Sequence, residues 1–158
     1  RRSDIGLLEF YMGDARVASG TPSIPHPLPP GAAEAYVTRA QSPDRIEDVW
    51  ALDGTRTGGS ELMGVIGLTQ IDANKAEIAY WVGPAFWNAG YASEAVEALL
   101  AANPFGLTTV YGSVFQSNPQ SARVLVRAGF DYIGDAEAFS VAQNRSVPTW
   151  TYVKKLGL

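Results

Sequence analysis

Apolar residues recur at two different periods along this chain, and the periods divide it into helices and strands. Ala92, Ala95, Val96, Leu99 and Leu100 fall at i, i+3, i+4, i+7 and i+8, the stripe of an amphipathic helix that Asn103-Pro104 ends. Ile5, Leu8 and Met12 make a shorter stripe across Ser3 to Asp14, with Ser3 as its N-cap, and Ala33, Tyr36 and Val37 another across Ala32 to Ala40. Asn118 is expected to cap a fourth helix, with Pro119 at its first position and Ala122, Leu125 and Val126 facing the core, and Gly129 ends it. Strands are expected at Asp48–Leu52, Leu62–Ile71, Ala76–Val82, Thr108–Phe115 and near Thr149–Leu156. The second of these is apolar on both faces, as a covered central strand should be. The order predicts an α/β (α+β) single domain over 1–158, with an antiparallel meander first and alternating strands and helices after it.

Composition narrows the chemistry. The chain has 158 residues, 46% of them apolar, which is enough for one core and argues against disorder. With no Cys, a disulfide scaffold, a zinc ribbon and a cysteine nucleophile are all ruled out. One His and no ligand-spaced carboxylates leave no basis for a metal. Twelve basic against sixteen acidic residues, net −4, argue against a nucleic-acid partner. No apolar run approaches the ~20 residues of a membrane span. The N-terminus also shows no signal-peptide core, so a soluble cytoplasmic protein is expected. The chain opens at Arg1 without Met, which reads as a trimmed start.

The most informative segment is residues 76–92, where a strand runs through a short loop containing Gly90 into a helix opening at about Tyr91. A helix N-terminus leaves backbone N–H groups free and carries partial positive charge, so small residues there allow a phosphate to approach. The same arrangement also serves ordinary helix–strand packing. No Gly-Lys-Ser/Thr and no Gly-x-Gly-x-x-Gly accompanies it, which sets aside a Walker loop and a dinucleotide fingerprint.

Two motifs in this region resemble the GNAT acyl-coenzyme A acyltransferases, and within them the RimJ/RimL branch that acetylates protein N-termini. The first is Ala79-Tyr80-Trp81 followed by Trp87-Asn88-Ala89-Gly90-Tyr91-Ala92-Ser93-Glu94-Ala95. The second, in order and at the family's separation, is Asn118-Pro119-Gln120-Ser121-Ala122-Arg123-Val124-Leu125-Val126-Arg127-Ala128-Gly129-Phe130. The branch's Ile-Pro-His-Pro segment stands at Ile24-Pro25-His26-Pro27. The resemblance implies a mixed, mostly antiparallel sheet flanked by helices and splayed between two parallel strands, residues 76–83 and 108–115. Relatives begin with a further strand ending in Leu-Arg-Pro that this chain does not contain.

The resemblance further implies acetyl-CoA as co-substrate and direct attack by a primary amine in a ternary complex, the acceptor being a protein or peptide N-terminus. The pantetheine arm would lie along Trp81, Val82 and Gly83, with Asn118 and Ser121 opposite. The pyrophosphate would rest on the amides of Trp87, Asn88, Ala89, Gly90, Tyr91 and Ala92, and the Val82 N–H would hold the developing oxyanion. Glu77 shares a face with Ala79 and Trp81, and a carboxylate among apolar neighbours suits a general base. Its bland reading is a solvated strand carboxylate beside Lys75. Many relatives place a tyrosine where Leu125 stands, as the acid for the departing thiolate. Ser121 is the branch's substitute, although a serine in a first turn also serves local capping.

Other residues read less sharply. His26 is a candidate contact to the acceptor, with simple solvation as the alternative. Arg123 and Arg127 form a polar stripe open to the cofactor's 3′-phosphate or to water alone. Two other functions stay open: acetylation of a small-molecule amine such as an amino acid, polyamine or aminoglycoside, and a coenzyme A-binding sensor or scaffold without turnover. Relatives often form homodimers, but no stretch here marks a seam.

Overall fold

In the computed structural model, residues 1–157 are described, so Leu158, the last residue of the expected domain, lies outside the described residues. Three helices come first: α1 (Ile5–Met12), α2 (Ala15–Ala18) and α3 (Ala32–Ala40). They are followed by β1 (Glu47–Ala51), β2 (Gly64–Asp72), β3 (Lys75–Val82), α4 (Tyr91–Ala102), β4 (Thr109–Phe115), α5 (Pro119–Arg127), β5 (Asp131–Ser140) and β6 (Arg145–Lys155). The six strands form one mixed sheet in the order β1-β2-β3-β4-β6-β5, in which only the β3–β4 pair is parallel. The α/β reading and the two parallel central strands therefore correspond to the observed architecture. Among the described residues β1 is the first strand and lies at the sheet edge.

Alternation along the central strands sends side chains to two separate cores. Ile66 and Leu68 of β2, Ile78 of β3 and Val110 of β4 pack with Val96 of α4 and Leu125 of α5. Val65, on the opposite face of β2, packs with Leu8, Tyr11 and Val37 from the N-terminal helices. This explains why β2 reads as apolar on both faces.

The turns account for the remaining geometry. The Asn74 N–H donates to Asp72 Oδ1 (3.0 Å), and the Asn74 carbonyl accepts from Thr108 N–H (2.8 Å), tying the β2–β3 turn to the start of β4. Asn103, at φ 39°, closes α4, and its side chain holds both backbone groups of Leu107. Gly64 allows close approach of β2 to β3, since a Cβ there would meet the Trp81 carbonyl oxygen and stand 2.9 Å from Val82 Cα. Gly64→Ala is therefore expected to cost about 1–3 kcal/mol of stability by overpacking against backbone, measured by denaturant unfolding.

Several expected elements shift. Ser3 is not an N-cap: residues 2–4 form a 3-10 turn, the α-helix starts at Ile5, and it stops at Met12 before a separate turn of helix at Ala15–Ala18. The last strand begins at Arg145 rather than near Thr149, because Gln143 and Asn144 belong to the tight turn of a β5–β6 hairpin. Strand β5 carries no clear period. It is mostly exposed, with a register shift between Tyr132 and Gly134, so side-chain alternation marks it poorly.

Candidate active site

Strands β3 and β4 are paired from Lys75–Thr109 to Ile78–Gly112 and no further. Both strands continue, β3 to Val82 and β4 to Phe115, so beyond Ile78 and Gly112 the sheet is open between its two central strands. The cause lies on either side. Beyond Gly112, β4 stays paired with β6 through Phe115–Thr149, while β3 stays paired with β2 through Val82–Gly64. Each strand follows its antiparallel partner and the two diverge. At the base of the opening Leu125 is fully buried, and a Cβ on Gly112 would come within 2.7 Å of its Cδ1.

A cavity of about 660 Å³ fills this opening. It reaches from α2 and the turn after it (Arg16, Gly20), past Tyr80 and Val82, to the start of α4 and the outer face of α5 (Ser121, Arg127). The Gly83 N–H donates to Met63 O (2.8 Å) on the β2 side. Alternation therefore turns the backbone groups of Val82 and Tyr80 to the other side, toward the opening. One of these is already used: the Trp87 indole N–H donates to the Val82 carbonyl (2.7 Å), which leaves the N–H as the Val82 backbone group directed into the gap.

The mouth of the cavity is the N-terminus of α4. Gly90, at φ 82°, turns the chain into the helix, and the first helical hydrogen bond runs from Glu94 N–H to Gly90 O (3.0 Å). The amides of Tyr91, Ala92 and Ser93 precede that bond and carry the positive end of a twelve-residue helix. The cavity lining at this end runs to Ser93, one residue beyond the segment expected from the sequence. Asn88 also lines the cavity, whereas Gly83 and Ala89 do not.

Three arginines also line the cavity, Arg16, Arg123 and Arg127. Arg16 is held by Asp14 in a two-pronged pair (Nε to Oδ1 3.1 Å, and 2.8 Å to Oδ2) and lies over the Trp87 ring at 5.9 Å. The hydrogen bonds from Arg16 hold the Asp14 carboxyl below its ordinary pKa, so this cation is already matched. Arg123 and Arg127 form no ion pair among the described residues. Arg16 had no sequence signal, because its helix is four residues long and far from either motif.

Asn118 and Ser121 stand together on the α5 side. Asn118 occupies the N-cap position without capping through its side chain. Its Nδ2 instead donates to Ser121 Oγ (3.1 Å), so Oγ accepts a bond there and keeps its own O–H to donate. From the β3 side Tyr80 reaches across, and its hydroxyl donates to the Ser121 carbonyl (2.7 Å).

Glu77 sits outside the cavity lining, on the penultimate rung before the strands part, opposite Tyr111. Its side chain keeps contact with water, yet burial by its surroundings raises its pKa. In register it lies beside Thr69, which lies beside Glu47 on β1. Glu47 is thus on the same face two strands away, with its carboxylate over Gly67. The Glu47 pKa is also raised, mainly by burial and secondarily by Asp48 and Glu77, with Arg39 acting in the opposite direction. Sequence reading missed Glu47, since only the register places it in line with Glu77. His26 is exposed, precedes a cis peptide bond to Pro27, and lies outside the cavity lining.

Among the described residues there is no group of three or more potential metal-ligating side chains, and no helix long and apolar enough to cross a membrane.

A mixed sheet that parts between two parallel strands, with a helix N-terminus at the mouth of the gap, defines an acyltransferase fold. Residues 1–131 match the acetyltransferase (GNAT) domain family, and the chain belongs to that family. It is 32% identical over 89 residues to the uncharacterized N-acetyltransferase YoaA of Bacillus subtilis (strain 168), a match covering 54% of this chain. The matched region spans 49%, about half, of that curated relative. Among solved structures, the chain is similar to spermidine N-acetyltransferase from Vibrio cholerae in complex with CoA and spermine (TM-score 0.81, 16% identity, 99% of this chain and 92% of that one). It is similar also to RimL, a ribosomal L7/L12 alpha-N-protein acetyltransferase in complex with coenzyme A (TM-score 0.79, 15% identity, 99% and 90%).

Proposed function

We propose that this protein transfers the acetyl group of acetyl-CoA to a primary amine, with a protein or peptide N-terminus as acceptor. The observation that carries this reading is the unpaired stretch beyond Ile78 and Gly112, where β3 and β4 continue without pairing around a cavity. The chemistry of coenzyme A matches groups that border that space. A narrow amide-bearing arm needs extended backbone partners, which the open stretch of β3 and Asn118 supply. A diphosphate needs unpartnered N–H groups, which Tyr91, Ala92 and Ser93 supply. Arg123 and Arg127 are placed for a further phosphate. When bound, the thioester supplies an activated acyl carbon.

The chain's own groups account for the rest. Val82 N–H stands ready for the charge that develops on the carbonyl oxygen. Glu77 accepts the amine proton. About 16 Å of strand rise separates it from Val82, so that transfer runs through water over Ala79. Ser121 donates its free O–H to the sulfur and so orients it.

A second reading, a small cationic amine as acceptor, draws support from Glu47 and Glu77 lying in one cross-strand row on one face of the sheet. The coenzyme A-binding scaffold is the reading without turnover. Free-thiol release from acetyl-CoA, assayed over N-terminal peptides, polyamines, amino acids and aminoglycosides, separates the three. The proposal expects turnover with peptides, turnover with polyamines alone favours the second reading, and binding without thiol release from any amine favours the scaffold.

Trp87→Phe tests the mouth of the site. Losing the indole bond to the Val82 carbonyl, at about 0.5–1.5 kcal/mol, should weaken coenzyme A binding about 2- to 10-fold by calorimetry with little change in Tm. A cytoplasmic location and a homodimer both accord with this reading, and sedimentation would report the second.

A further inference from the structure

In this chain the position from which many relatives present a tyrosine to the sulfur is filled by Leu125, which is fully buried against Gly112 and Ile78. Tyr80 follows Ile78 on the same face of β3 and packs against the core that holds that leucine. Tyr80 lines the cavity, and its hydroxyl donates to the carbonyl of Ser121, one helical turn before Leu125. A phenol is thus delivered to the α5 side of the gap from the strand instead of from the helix.

We propose that Tyr80 is the proton donor to the departing sulfur, with Ser121 orienting that sulfur and not supplying the proton. This inference rests on the acetyl-transfer reading above. The amine nitrogen forms its bond to the acyl carbon and gives a proton through water to Glu77. The carbon–sulfur bond then breaks, its electron pair stays on sulfur, and the Tyr80 O–H proton moves to that sulfur. The phenolate regains a proton from water and Glu77 releases its own, so the sum is amine plus thioester to amide plus thiol. The hydroxyl's bond to a carbonyl keeps its proton in place until the sulfur competes for it. Burial raises the phenol's pKa, which holds it protonated in neutral solution. Tyr152 on β6 is the other titratable group acting on it, and a carboxylate does not figure among the causes of its shift.

The test compares Tyr80→Phe, Ser121→Ala and the intact chain carrying a fluorinated tyrosine of lowered pKa at position 80. Tyr80→Phe should lose about 10²-fold or more in kcat. Coenzyme A should still stabilise it as it does the parent, showing that the site survives. The fluorinated chain should lose activity at a lower alkaline pH than the parent. Its phenol absorbance should titrate differently with coenzyme A bound than with the desulfo analogue, which reports proximity to the sulfur without turnover. Full activity in Tyr80→Phe, or an unmoved alkaline limb together with identical titrations, overturns the proposal. So does collapse of kcat in Ser121→Ala alone, which would make the serine the donor. Should Tyr80→Phe lose coenzyme A binding, the fluorinated chain decides by the same two readouts. Failure of the parent itself to bind coenzyme A would instead remove the acetyl-transfer reading on which the inference stands.

Discussion

Glu77→Gln is expected to lower kcat by about 10²-fold or more at saturating acetyl-CoA while coenzyme A affinity stays unchanged. The carboxylate lies outside the cavity that would hold the cofactor, so its removal leaves the binding surface intact. Its effect is on the amine proton. Burial raises the Glu77 pKa, and a base acts only when deprotonated. The rate of the parent should therefore fall as pH drops through that raised value. Glutamine can neither gain nor lose the proton, so this acidic limb should disappear from the kcat profile. An unchanged rate across pH 6–9 would assign the proton to another group. Glu47 is the first to examine, because it lies in the same cross-strand row with its own pKa raised by burial.

Gly90→Val is expected to weaken coenzyme A binding about tenfold while the protein still folds. At φ 82° the glycine adopts a left-handed conformation that a β-branched residue enters at a cost of roughly 1–2 kcal/mol. No protein atom lies within 4 Å of a Cβ placed there, so the substitution strains the backbone without a clash inside the chain. Relief of the strain turns the amides of Tyr91, Ala92 and Ser93 away from a common focus, and the diphosphate loses its donors. Calorimetry with coenzyme A measures the effect. Full affinity in a folded Gly90→Val protein would move the phosphate site elsewhere, with Arg123 and Arg127 as the alternative.

Both variants concern residues that the sequence already singled out, and the reason is physical. A strand–loop–helix with a glycine at the junction leaves a local signature, because it depends on backbone geometry that few residues permit. Periodicity likewise marks α4 and β2, whose faces are set by burial. Features that depend on long-range pairing leave no such trace. Glu47 joins Glu77 only through the β1–β2–β3 register, and Arg16 lines the cavity from a four-residue helix distant in sequence from both strands. Strand β5 was illegible because it is exposed on both faces and its register shifts, so no alternation survives. Asn118 reads correctly as a helix boundary and incorrectly as a side-chain cap. Its Nδ2 donates to Ser121 Oγ while its Oδ1 accepts no N–H of the helix, a side-chain orientation that spacing alone does not decide.

The central claim is that the gap between β3 and β4 receives coenzyme A, and the most direct measurement is thermal unfolding of the chain with acetyl-CoA and with coenzyme A. A ligand bound only to the folded state at 100 times its dissociation constant stabilises by about 2.7 kcal/mol. For a chain of this length that corresponds to a rise of several degrees in Tm. The account predicts such a rise with both ligands, because the arm and the phosphates are common to them. No rise with either at millimolar concentration would contradict it.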